Sequence, residues 1–268
     1  MYILTHRGLD PAKKPYFPES SKEAFEDQLK RGFGLEFDLQ FVNSQMVISH
    51  DSHVDLSNSH VISLSDLLSL IMKSKAELSA MHLKHTWQKP KYLDKILNEL
   101  KKIDIERTII FDLKIETAQY LKERNPRLHL ASSVSHSYDI ERYNNAVGGT
   151  IITIEEAIKN KNLFDWVWLD EWDISLPDGG DPSTRAKHGT GQNKTLYNKE
   201  NFELLQKNGL KIALVTPELH ATSPGLLGGE AHQDALDHQT LIKRLKEIVS
   251  LKPDAICTDW PDLVKNMM

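Results

Sequence analysis

The chain has 268 residues, 40% of them hydrophobic and 26% charged, and a formal net charge of -5. This length fits one large α/β domain or two small ones, and the apolar content is enough for a sizeable core. The acidic balance excludes a general attraction for nucleic acid or an anionic membrane, so an anionic phosphate would need local compensation from a metal or a few basic side chains.

Short apolar runs alternate with amphipathic stretches. Strands are predicted over residues 2–5, 35–41, 77–84, 108–113, 128–132, 166–170, 211–215 and 255–258. Helices are predicted over 20–31, 65–73, 89–102, 117–124, 154–159, 199–207, 236–249 and 261–266. Ser20 is placed to cap the first helix, with Glu23 completing a capping box, and Pro261 suits the first turn of the last helix. Residues 41–49 read as a small hairpin, FV and MVIS around the turn-forming NSQ. Two Gly-rich excursions, 177–191 and 217–229, break the rhythm; loops this long are usually functional or disordered. Neither has the glycine pattern of a nucleotide loop. Strands separated by helices imply parallel pairing through crossovers. At this length the eightfold count predicts a closed (β/α)8 TIM barrel, one domain over residues 1–268 with the hairpin inserted after the second strand. An open doubly wound sheet is the alternative.

Cys257 is the only cysteine, so no disulfide forms within the chain, which suits a reducing compartment. The start, MYILTHRGLD, lacks a basic region followed by an apolar one. No apolar run approaches the ~20 residues that span a bilayer. A cytoplasmic location without a membrane anchor is expected.

The run LEFDLQ places Leu35, Phe37 and Leu39 on one face of a strand and Glu36, Asp38 and Gln40 on the other. Two adjacent carboxylates repel, and a cation between them relieves the repulsion. In a barrel, chemistry sits at the carboxyl ends of the strands. There the sequence sets Thr5-His6-Arg7-Gly8, His50-Asp51 after strand two, His82 and Lys84 on strand three, Asp112 and Lys114 on strand four, Asp170-Glu171, Thr216-Pro217-Glu218 and Thr258-Asp259. All-parallel strands are buried on both faces, so a charge within one must be paired or bound to a metal.

THRG, then PESSKEAFEDQLKRGFGLEFDLQ, then VISHD, over residues 5–51, resembles the glycerophosphodiester phosphodiesterase family, whose pattern is HRG, a PENT-like segment, ExD, a hairpin and HD. CTDWPDLV at 257–264 resembles the family's closing motif. The resemblance implies a TIM barrel that hydrolyses a phosphodiester, a glycerophosphodiester giving glycerol 3-phosphate and an alcohol, with a divalent metal, and so a place in lipid or glycerol metabolism. Residue by residue, it makes Glu36 and Asp38 the metal ligands and His6 and His50 the catalytic histidines. Arg7 and Lys84 become phosphate ligands, and Glu19 the acid of the PENT-like segment. The chain departs from the family where ExK is usual: it reads Met81-His82-Leu83-Lys84. His82 could be a third metal ligand, favouring Mn2+ or Zn2+ over Mg2+ or Ca2+. It could equally contact phosphate, or mark a barrel that binds a phosphorylated ligand without turnover. A metal-independent lyase resembling phosphatidylinositol-specific phospholipase C is a further reading. Asp112 could orient Lys84 or a substrate hydroxyl, or form a salt bridge at the rim. Trp166 and Trp168 read as core, while Trp172 could stack on a sugar or glycerol face. Asp170 is a supporting or substrate-contacting candidate, and His220, His232 and His238 read as surface residues. The expected partner is a small soluble phosphodiester.

Overall fold

Eight parallel strands close on themselves in the computed structural model, which describes residues 1–136, 140, 144, 148–171, 196–219, 233–235 and 237–268. In chain order the strands are β1 (Tyr2–His6), β2 (Gly34–Val42), β3 (Gln45–Ile48), β4 (Ile62–Ser63), β5 (Ser79–His82), β6 (Thr108–Phe111), β7 (His129–Val134), β8 (Ile151–Ile152), β9 (Trp166–Leu169), β10 (Lys211–Val215) and β11 (Ala255–Thr258). The ring runs β1, β2, β5, β6, β7, β9, β10, β11 and back to β1. Closure is visible at Leu4, which is in register with Gly34 on one side and Cys257 on the other. The predicted barrel is therefore the observed one, and the open sheet is excluded. β3 and β4 add antiparallel to β2, and the short β8 pairs with β7, all outside the ring.

The two-residue side-chain period sorts the strands into two layers. Leu35, Phe37 and Leu39 of β2 pack outward with Phe25 and Leu29 of the helix Lys22–Lys30, in the main core between barrel and helices. A second apolar group fills the barrel interior, including Leu4, Ile109, Phe111, Ala131, Trp166, Trp168 and Ala255. Trp166 and Trp168 thus belong to the core, as their spacing suggests. Glu36 and Asp38 take the inward positions of β2. Gly34 is required where that strand starts, since a Cβ there would lie 1.9 Å from the Leu78 carbonyl oxygen.

The helices follow the predicted spans within a few residues. The first differs at its start. Ser20 adopts a left-handed conformation (φ 55°), and Ser21 caps the helix by accepting from the Ala24 N–H at 3.2 Å. Glu23 pairs with His60 at 2.9 Å instead of closing a capping box. That motif occurs at Thr153 and Glu156, ahead of the helix Ile154–Lys159. Pro261 does occupy the first turn of the last helix, Pro261–Lys265. The hairpin is confirmed between β2 and β3, with Val42 opposite Gln45. Asn43 and Ser44 have φ 47° and 69°, the left-handed pair that a two-residue turn needs. The strands predicted over 77–84 and 108–113 stop earlier, at His82 and Phe111, so Lys84 and Asp112 lie on the loops beyond them. Residues 177–191, most of 217–229, Trp172, His220 and His232 lie outside the described residues, while His238 is exposed at the start of the helix His238–Ser250. Among the described residues no helix is long and apolar enough to cross a membrane.

Candidate active site

The HRG segment makes the first corner of the site. Arg7 and Gly8 have φ 54° and 75°, so the chain leaves β1 through two successive left-handed residues, a turn that glycine eases. This turn sets His6 and Arg7 at the carboxyl end of the barrel. A cavity of about 650 Å³ opens there, and His6, Arg7, Glu36, His50, His82, Lys84, Asp112 and Asp170 all line it. Both histidines of the proposed pair thus face one space.

Asp38 sits just behind the wall, 1% exposed, at the centre of a charge cluster. Its Oδ1 lies 2.7 Å from His82 Nδ1 and 3.6 Å from Lys84 Nζ, and its Oδ2 lies 3.3 Å from Arg7 Nε. Burial works against this charge, but the His82 hydrogen bond and the Arg7 and Lys84 cations outweigh it and hold the Asp38 carboxyl well below the usual carboxylate range. Glu36 goes the other way, since burial and the adjacent Asp38 push its pKa up. Arg7 also donates to Glu19 at 3.2 Å; Glu19 does not line the cavity.

His82 is held by both ring nitrogens, Nδ1 by Asp38 and Nε2 by Asp112 Oδ2 at 3.1 Å. Burial opposes protonation there, yet the two carboxylates overcome it and hold the pKa up to about 10. Asp112 therefore meets His82 and not Lys84. Its Oδ1 accepts from Thr150 Oγ1 at 2.6 Å, and its backbone adopts φ 65°. Asp112 thus forms an ion pair with His82 while also lining the cavity. Lys84 reaches back to donate to the His50 carbonyl, as does Gln40 Nε2 at 3.2 Å, fixing the loop that carries His50.

His6 and His50, the candidate catalytic pair, have unlike surroundings. His6 Nδ1 lies 3.1 Å from Asp259 Oδ1, on a carboxylate with 0% exposure. Burial lowers the His6 pKa and Asp259 raises it, with the balance upward. His50 is more open. Burial and the Arg7 cation push its pKa down to about 4. Asp259 is in turn held by Glu218, whose Oε1 accepts from the Asp259 N–H at 3.2 Å and from the Thr216 and Thr258 hydroxyls. Residue roles read from sequence omit Asp259, Glu218 and Thr150. For the first two the available signal was their place at the ends of strands seven and eight.

Glu36, Asp38 and His82 each offer a ligand atom within 4.8 Å of the others, close enough to bind one metal ion. The fit rests on Glu36 Oε2, a buried oxygen with no hydrogen-bond partner; Asp38 Oδ2 makes no hydrogen bond either but faces Arg7 Nε at 3.3 Å. His82 could join such a set only by releasing one of its carboxylates. Trp172, the remaining candidate, lies outside the described residues.

No protein-family model matches the chain, and no curated protein matches it significantly. Solved structures do. One from Galdieria sulphuraria, provisionally assigned as a glycerophosphodiester phosphodiesterase, superposes with a TM-score of 0.65 at 16% identity, covering 99% of this chain and 96% of that one. A phosphodiesterase from Oleispira antarctica, in complex with the product sn-glycerol-3-phosphate, has a TM-score of 0.61 at 11% identity, covering 100% and 96%. A dihydropteroate synthase from Coxiella burnetii reaches 0.51 at 12% identity, covering 99% and 90%, so the barrel by itself does not decide the chemistry. In fold, over nearly its whole length, the chain is similar to solved glycerophosphodiester phosphodiesterases.

Proposed function

We propose that the protein is a phosphoric diester hydrolase acting on glycerophosphodiesters, with one active site at the barrel mouth. The observation that carries this reading is the convergence of His6, His50, Arg7, Lys84 and Glu36 on one cavity, with Asp38 behind them. Glu36 and Asp38, with His82 as a third donor, would hold a divalent cation, which when bound withdraws charge from the phosphoryl oxygens. Arg7 and Lys84 neutralise the substrate phosphate, the guanidinium by a pair of hydrogen bonds. His50, kept neutral, takes the proton of the attacking oxygen. His6, whose protonated form Asp259 favours, gives a proton to the departing alkoxide as the phosphorus–oxygen bond breaks. A new phosphorus–oxygen bond forms to the attacking oxygen, and the products are a glycerol phosphate and an alcohol.

Release of glycerol phosphate from a panel of glycerophosphodiesters, with alkyl, aryl and aminoethyl alcohols, tests the reading. A chelator is expected to abolish it, and Mn2+ or Zn2+ to restore it better than Mg2+ or Ca2+, because an imidazole in the donor set suits the former pair. No hydrolysis of any glycerophosphodiester with any of the four ions would refute it.

One observation favours a second reading. His82, bridged between Asp38 and Asp112, has its pKa held up to about 10 and would supply positive charge at the cavity wall. A metal-independent lyase forming a cyclic phosphate could use it. A cyclic product made equally fast in chelator would establish that route.

Asp259 is a positioning residue in the proposed reaction, acting through His6. Asp259→Asn is expected to lower kcat and to move the alkaline limb of the pH–rate profile down by about one unit, with KM little changed. A limb that stays in place would remove Asp259 from the mechanism.

A further inference from the structure

Among the described residues, most of the charged side chains that line the cavity stand on one half of the barrel mouth, while Asp112 after β6 and Asp170 after β9 stand on the other. His6 ends β1, Glu36 and Asp38 stand on β2, His82 ends β5, and Asp259 follows β11. These four strands are consecutive in the closed ring. The other arc, β6, β7, β9 and β10, presents Phe111, Val134, Trp168 and Val215 to the same cavity. Ile151 of β8 and Leu219, just beyond β10, complete this wall.

The two halves are joined by a column of rings. His82 stacks on Phe111 at 4.9 Å and 16°, and Phe111 stacks on Trp168 at 4.0 Å and 12°. A ligand with its phosphorus beside Arg7 and Lys84 that extends across the cavity therefore passes from charge to apolar surface. Polar groups also line this arc, at Asp112, Ser133, Ser135 and Asp170. Asp112 holds His82 and Thr150, and Ser135 Oγ donates to the Asp170 carbonyl at 2.8 Å. The volume lies within the roughly 300–1,000 Å³ of pockets that enclose drug-sized ligands. A bare polyol or aminoethyl group has no apolar surface with which to displace water from such a wall. A quaternary ammonium is best held in a cage of open aromatic faces; on this arc both faces of Phe111 are covered, and Phe111 takes one face of Trp168.

We infer that one of the two groups esterified to the phosphorus is uncharged and apolar, alkyl or aryl, and seats against Phe111, Val134, Ile151, Trp168, Val215 and Leu219. This rests on the phosphodiesterase reading for its catalytic half, but the apolar seat can be tested by binding alone.

The kinetic test is a series of glycerophospho-n-alkyl esters from methyl to hexyl. KM is expected to fall about fourfold per methylene, the value of burying one CH2 group, until the wall is covered. The 3,3-dimethylbutyl diester, the neutral isostere of the choline diester, is expected to be turned over at least as efficiently as the choline diester. A flat series, or a preference of about tenfold or more for choline, would overturn the inference. Calorimetry with n-alkyl phosphates, methyl to hexyl, reads the seat without turnover. Affinity that climbs with chain length while no diester is hydrolysed would sustain the seat and sink the phosphodiesterase reading; affinity independent of chain length would sink the seat. Leu219→Asn is expected to flatten the slope. Ile151→Phe, a second variant that fills the wall without adding polarity, is expected to end the gain at a shorter chain.

Discussion

Asp38→Asn is expected to abolish hydrolysis and to destabilise the fold by about 3–5 kcal/mol, the usual cost of removing one partner from a buried ion pair. Arg7, His82 and Lys84 all converge on this carboxylate within 3.6 Å. An amide of the same shape would remove the anion the three share, leaving His82 only Asp112 and Arg7 only the half-exposed Glu19. Urea unfolding of chelator-treated protein measures the loss, and its pH dependence identifies the cause. The folded-state pKa of Asp38 lies below the unfolded one, so its contribution is complete above the ordinary carboxylate pKa and is lost as pH falls toward the folded value. The asparagine variant is expected to lack that acid-side loss. His82 has the opposite sign. Its folded pKa of about 10 exceeds the ordinary 6.5, so its contribution is present below 6.5 and disappears as pH rises to about 10. An Asp38→Asn protein as stable as the parent, with the same acid-side slope, would show that the cluster is not the electrostatic centre of the fold.

His6→Ala and His50→Ala are each expected to lower kcat by about 10²–10⁴-fold, the span of a single general acid or base. Their pH profiles distinguish the roles. The base must be neutral, so activity is lost as pH falls through the His50 value of about 4. The acid must be protonated, so activity is lost as pH rises through the His6 value, which stands above the ordinary 6.5. His50→Ala is expected to erase the acid limb and His6→Ala the alkaline one. The reverse assignment would appear as the opposite pattern. His50 is partly exposed on a loop, so its truncation is expected to leave circular dichroism and the unfolding midpoint near those of the parent. Activity surviving both substitutions would remove histidine acid–base chemistry from this site.

Much of this architecture is legible in the residues. Each barrel strand declares itself as a short apolar run, and β2 does so most plainly, because Leu35, Phe37 and Leu39 alternate with Glu36, Asp38 and Gln40. Strand ends were less legible. Asp112 takes a left-handed backbone that ends β6, and the sequence IIFDLK carries no glycine or proline to announce it. The first helix cap was misplaced by one residue, since adjacent serines offer the same chemistry and only the backbone of Ser20 decides between them.

The partners of the site residues were the least legible part. The sequence by itself determined the strand count, the inward face of β2 and the acids and imidazoles available at the strand ends, because these depend on local spacing and on residue type. Only the tertiary structure decided that His82 lies between Asp38 and Asp112, that Asp259 holds His6 from 253 residues away, and that apolar side chains line the far arc of the cavity. The reason is closure: β1 meets both β2 and β11 only once the sheet has joined its own edges, and the register of that joint chooses which carboxylate each ring faces.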